Sequence, residues 1–124
     1  MTNQKVAVTD IENKHADAIL THHLKAFGEN NLKEIIADYS KDATIFTMSR
    51  EIRGLTVIED FFIDLFGLIP KGSPFEMKKS IVKNNLAYIV WESKNEAKET
   101  YFGSDTFVFE GNKIKYHTLI MHKK

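Results

Sequence analysis

Apolar residues recur at helical spacing in the first half of the chain and at strand spacing in the second. Ala16, Ile19, Leu20, His23, Leu24 and Phe27 fall three and four apart, on one face of a helix that Gly28 is placed to stop. Upstream, Thr9 stands three residues before Glu12, the spacing of a capping box, and predicts that the helix opens there. The segment "NNLKEIIADYS" predicts a second, short helix from Leu32 to Asp38, and "DATIFTM" has strand composition. In "RGLTVIEDFFIDLFGLIP", Thr56 and Glu59 make another box ahead of a richly apolar helix ended by Gly67 to Pro70.

From Phe75 the period shortens to two. "FEMKKSIVK", "LAYIVWES", "ETYFGSDTFVFE" and "KIKYHTLIMH" are four strand-like runs. Asn84-Asn85 links the first two and Glu110 to Asn112 the last two, and both links have the residues of hairpin turns. No repeat, low-complexity tract or linker interrupts the pattern. The expected fold is α+β, with three helices against a curved, mainly antiparallel sheet, in a single domain over residues 1–124.

Composition narrows the function classes. A chain of 124 residues supports one core. Seventeen basic and seventeen acidic residues balance, so no basic face argues for nucleic acid as a partner. The absence of cysteine removes disulfides, thiolate nucleophiles and Cys-type zinc sites. The N-terminal segment "MTNQKVAVTDIENKH" has no apolar signal core, and no run approaches the ~18 apolar residues of a membrane span. The expectation is a cytoplasmic, soluble protein without a membrane partner.

Three segments, "HHLKAFGENNLKEIIADYSKDATIF", "RGLTVIEDFF" and "DTFVFEGNKI", carry a family resemblance. Their order and spacing are similar to those of the SnoaL-like branch of the nuclear transport factor 2-like superfamily, which includes ketosteroid isomerases and polyketide cyclases. The resemblance covers nearly the whole chain from His15 to Met121. It implies a cone-shaped fold whose helices close over the concave sheet face, an apolar pocket, and a homodimer. It does not imply one activity, because the fold hosts many. Steroid isomerases use a Tyr and a protonated Asp as oxyanion donors and a separate Asp as base. The resemblance sets Asp105 on the oxyanion Asp, His23 in place of the donor Tyr, Tyr39 on a supporting tyrosine, and Thr47 in place of the base. Thr47 cannot take a proton from carbon near neutral pH, so steroid isomerase chemistry is not expected.

Asp105 itself is the main chemical clue. It interrupts an aromatic and β-branched strand, where carboxylates are depleted and costly to bury unpaired. Alternation puts it on one face with Tyr101, Gly103, Phe107 and Phe109. A three-residue loop in the last hairpin would set Phe109 opposite Lys113 and Asp105 opposite His117, with Leu119 and Met121 on the same face. A one-residue change would pair Asp105 with Thr118. The other face then carries Phe102, Thr106, Val108, Ile114, Tyr116 and Ile120, which calls for a second subunit against this convex side.

The candidate catalytic residues are therefore Asp105, His117 and His23. The candidate ligand-binding residues are Tyr39, Phe46, Thr47, Phe62, Phe66, Trp91, Phe107, Leu119 and Met121. Each also has a structural reading: a satisfied carboxylate, its imidazole partner, a core histidine, and core aromatics. His22 and His23 face two directions on a helix, so no metal is expected, and no cofactor. Arg50 and Arg53 read as solvated residues of a polar turn. The expected partner is a small apolar molecule. Two classes stay open: a cofactor-independent acid–base enzyme acting on a carbonyl, enol or epoxide, and a non-catalytic binding module. A dimeric adaptor is the third.

Overall fold

The computed structural model describes the backbone of residues 2–124 and the side chains of residues 14–124. The elements run α1 (Thr2–Gly28), α2 (Leu32–Ala37), β1 (Tyr39–Phe46), β2 (Glu51–Arg53), α3 (Leu55–Leu68), β3 (Phe75–Lys83), β4 (Leu86–Lys94), β5 (Thr100–Glu110) and β6 (Lys113–Lys123). The fold is α+β, with the helices packed on a six-stranded sheet in the order β2-β1-β6-β5-β4-β3. Every neighbouring pair is antiparallel except β1 and β6, which run parallel. Two strands separate α2 from α3: β1, over the segment whose composition predicts a strand, and β2, which composition does not predict. Among the described residues no helix is long and apolar enough to cross a membrane.

The helical faces are those the spacing predicts. Ala16, Ile19, Leu20, His23 and Ala26 of α1 are buried, and Leu24 and Phe27 pack partly against the core. The Thr9–Glu12 box lies outside the described side chains, and α1 spans that segment rather than starting at it. The second box is not used. Gly54 is the N-cap of α3, with φ +87° and no side-chain bond, so Thr56 already lies inside the helix. The helix begins earlier because the Ile58 N–H reaches back to the Gly54 carbonyl at 3.0 Å. β2 was read as a polar turn because three residues show no alternation; pairing makes it a strand, with Ile52 against Ile45.

The last hairpin departs from expectation in a way that matters for the site. Its loop is Gly111-Asn112, with Glu110 paired to Lys113, so it has two residues rather than three. Gly111 takes φ +62°, which a side chain at this turn position would resist. Beyond the turn Phe109 pairs with Ile114, but Val108 pairs with Tyr116, leaving Lys115 without a partner in the β5 ladder. This is a β-bulge, one extra residue that returns the following side chains to the opposite face. The register beyond it pairs Phe107 with His117 and Asp105 with Leu119. The bulge also corrects Ile114: it is fully buried with the core, not part of the convex face.

Candidate functional site

Helices and sheet bring one chain of polar side chains into an apolar interior. Asp105 and His117 are diagonal rather than opposed, yet His117 Nε2 lies 2.6 Å from Asp105 Oδ2. Diagonal neighbours on one sheet face are within reach of long side chains. The imidazole also stacks on Phe107, with centroids 4.2 Å apart, so ring packing and the carboxylate together fix its orientation. Trp91 Nε1 donates to the other carboxylate oxygen at 2.7 Å. Both Asp105 oxygens are engaged, and each keeps one lone pair.

Gly103 makes that second bond possible. It pairs directly with Trp91 across β4 and β5, and a Cβ added there would come within 3.0 Å of three indole carbons. Without a side chain at 103, the indole lies flat across β5 and aims its N–H at the carboxylate two residues on.

On its other side His117 Nδ1 is 2.8 Å from the Tyr39 hydroxyl. Tyr39 in turn lies 3.5 Å from His23 Nε2, and His23 Nδ1 lies 3.3 Å from Asp38 Oδ2. Asp38 also meets His22 Nδ1 at 2.8 and 2.9 Å, and His22 Nε2 reaches Glu34 at 3.1 Å. With a neutral His117 ring, the Tyr39 hydroxyl donates to Nδ1 over the shorter of its two contacts, and the His117 Nε2–H donates to Asp105. Asp38, Tyr39, His23, Asp105 and His117 are all buried. Among the described residues no buried side-chain nitrogen or oxygen lacks a partner.

Electrostatics follow position. Burial lowers the His23 pKa below the ordinary histidine value, with the Asp38 bond acting in the opposite sense. Hydrogen bonds to Asp38 and then Glu34 raise that of His22. Burial raises the Tyr39 phenol well above its usual range, helped by the Asp105 and Asp38 charges. Near neutral pH, His23 is a neutral ring and Tyr39 a neutral hydroxyl.

A cavity borders this chain, lined by His23, Phe27, Phe62, Trp91, Asp105 and His117 among others, with Phe75 and Leu119 completing its wall. The space open to the centre of a water molecule is about 30 Å³, and about 380 Å³ lies between the side chains when the mouth is counted. The first figure is room for one or two waters. Of the expected lining residues, Phe62, Trp91, Phe107 and Leu119 border it. Tyr39 stands behind His117, and Phe66 packs on Phe27 and Phe62. Phe46 and Thr47 are corrected. In β1 Ile45 pairs with His117 and Phe46 with Thr118, so Phe46 turns outward, 6.1 Å from Tyr116. Thr47 closes a turn, bonding the Arg50 carbonyl, and lines a separate depression with Met121 and Leu119.

Sequence reasoning missed Asp38, His22 and Glu34. His22 and His23 do point differently, with only His23 buried, yet both reach Asp38 at the α2–β1 junction. The doubled histidine was the available signal; Asp38 looked only like a helix end. Among the described residues no cluster of three or more His, Cys, Asp or Glu side chains could hold a metal ion.

No family model and no curated protein matches the sequence. Solved structures do resemble the fold. A nuclear transport factor 2-like protein of unknown function from Burkholderia xenovorans aligns over 92% of this chain and 86% of its own, at 14% identity and TM-score 0.72. A candidate ketosteroid isomerase from Kribbella flavida covers 90% and 80%, at 12% identity and TM-score 0.76. A candidate SnoaL-like polyketide cyclase from Shewanella denitrificans covers 86% and 90%, at 12% identity and TM-score 0.69. The chain has the fold these proteins share, that of the nuclear transport factor 2-like proteins.

Two predictions follow from this geometry. Gly103→Ala forces the indole aside and breaks its bond to Asp105, which costs ~1–3 kcal/mol as an overpacked contact does. Trp91 is the only tryptophan, so its emission should move to the red in the folded variant; unchanged emission would count against the contact. The second concerns pH. Because the folded His23 pKa lies below its unfolded value of ~6.5, the unfolded chain takes up a proton first, and stability falls as pH drops through that window. The slope approaches at most ~1.4 kcal/mol per pH unit. His22 acts in the other window, its contribution complete below ~6.5 and lost as pH rises through the raised folded value. Urea unfolding at a series of pH values should show a shallower acid-side slope in His23→Gln than in the wild type. Equal slopes would remove His23 from the account.

Proposed function

We propose that the chain binds a small, mainly apolar molecule in this cavity, and that Asp105 and His117 act on its carbonyl, enol or epoxide oxygen, or on an adjacent proton, by acid–base chemistry without a cofactor. The observation that carries the reading is the 2.6 Å contact between His117 and Asp105 at the wall of an otherwise aromatic and aliphatic cavity. A carboxylate and an imidazole buried together are costly unless their bonds are good, so a well-bonded pair at the wall of an apolar cavity is a candidate working site. Asp105 retains a free lone pair on each oxygen, so it can accept a proton from a bound molecule while His117 and Trp91 steady its charge. Were it protonated, it would donate to a carbonyl instead. The cavity is small beside the ~300–1,000 Å³ of drug-sized sites, so the occupant is compact or displaces Phe75 at the rim, which is 38% exposed and stacked on Trp91.

The second reading, a binding module without catalysis, is favoured by one feature: the Trp91 N–H locks Asp105 in place. Asp105→Asn separates the two. Trp91 emission, titrated with a panel of small cyclic ketones and phenols, should saturate in the wild type and weaken about tenfold in the variant, the ~1.4 kcal/mol typical of a charge-assisted bond. No response to any compound would sink the binding proposal. Equal affinity in both proteins would leave an apolar binding module with a structural carboxylate.

We also propose a homodimer through the outer sheet face. Phe102, Val108, Tyr116 and Ile120 lie there, with Tyr116 43% and Ile120 46% exposed and Phe46 beside Tyr116. Balanced net charge offers no general repulsion to a second copy. Light scattering at micromolar concentration should give twice the 14.3 kDa chain mass and revert to the monomer in Ile120→Asp. A monomeric wild type would exclude it.

A further inference from the structure

The hydrogen-bonded chain does not stop at the cavity. From His117 it runs through Tyr39, His23 and Asp38 to His22 and Glu34, whose side chains are 41% and 46% exposed. That end opens into a surface depression lined by His22, Lys25, Glu29, Asn31, Lys33 and Glu34, none of which borders the cavity. We propose that Tyr39, His23, Asp38 and His22 form a proton path joining the buried Asp105–His117 pair to solvent at the α1–α2 junction, independent of the cavity mouth.

The chemistry of the members supports transfer rather than simple bonding. All three histidines use both ring nitrogens within the chain, so each can take a proton on one side and release one on the other. Tyr39 and Asp38 likewise touch a histidine on each side. Amides would satisfy the same neighbours but relay protons poorly. Tyr39 completes the bonding of His117, and the members beyond it extend the chain of exchangeable protons from the buried pair to the surface.

The transfer balances. Start with His22 neutral and protonated on Nδ1, and with His23 protonated on Nε2. Solvent protonates His22 Nε2, and His22 passes its Nδ1 proton to the Asp38 carboxylate. Asp38 gives that proton to His23 Nδ1, and His23 releases its Nε2 proton to the Tyr39 oxygen. Tyr39 passes its hydroxyl proton to His117 Nδ1, and His117 gives its Nε2 proton to Asp105. One proton leaves solvent and one arrives on Asp105. Each ring now holds its proton on the other nitrogen, set for the reverse run. The two longest links, 3.3 and 3.5 Å, both belong to His23, so a small movement of that ring opens or closes the path.

The path rests on the hydrogen bonds alone, and its test needs no added ligand, so its failure would leave the binding proposal standing. In ¹⁵N-labelled protein, solvent exchange of the His117 Nε2–H is compared with that of the Trp91 Nε1–H, which reports general opening of the interior. Tyr39→Phe breaks the path beside His117, and Asp38→Asn breaks it two members away without touching the dyad. In each folded variant the ratio of His117 to Trp91 exchange rates should fall at least about tenfold. Thermal melting identifies a variant that has not folded, in which case the other decides. An unchanged or higher ratio in either folded variant overturns the path, because exchange then runs through the cavity.

Discussion

One unpaired residue sets the direction of half the site. Without the bulge at Lys115, the register begun at the hairpin would carry His117 opposite Thr106, on the outer face, and Leu119 with it. Asp105 would then lie buried with Trp91 as its only partner, and Tyr39 would keep only its longer contact to His23. The extra residue is held rather than merely tolerated. The Lys115 ammonium pairs with Asp42 on β1, and β1 slips against β6 over the same stretch, between Tyr39 and Thr44. The Ile114 amide meanwhile bonds the Asp38 carbonyl at 2.7 Å, tying the start of β6 to the end of α2. The irregularity therefore joins the strand that carries His117 to the junction that carries Asp38 and Tyr39.

Once His117 faces inward, the interior has to satisfy it. Each further polar group solves the exposure problem of the previous one and creates its own, until the chain reaches His22 and Glu34 at the surface. Half-satisfied networks of this kind are worse than an apolar core, and this one is complete among the described residues. Gly103 is the counterpart on the sheet: an absent side chain that lets the indole close the far end.

Patterns with a short period were legible from sequence. The α1 stripe, the four long strands and the inward face of β5 follow from spacing alone, and Asp105 stood out because it broke its strand's composition. The bulge was not legible. Nothing in "KIKYHTLIMH" marks Lys115 as the residue that drops out of the ladder, so a wrong loop length led to opposed rather than diagonal placement of the dyad. Asp38 and Glu34 were missed for a related reason: a helix of six residues has too few turns to show which way its end points. Phe46 failed on parity, since β1 takes its register from a parallel partner at the far end of the chain.

That parallel pairing has a consequence for how the molecule comes into being. β1 precedes the other strands of the sheet in sequence, and its neighbour β6 follows them all. A ribosome releases the chain from its N-terminus at ~5–20 residues per second, so α1, α2 and β1 emerge seconds ahead of β6, with a sheet edge and an unanswered Tyr39. His117 is 78 positions away and cannot help until β6 emerges. The closing contact costs the loop entropy of everything between, and such non-local pairing slows folding. The contact between His117 and Asp105 therefore forms only after β6 has joined the sheet.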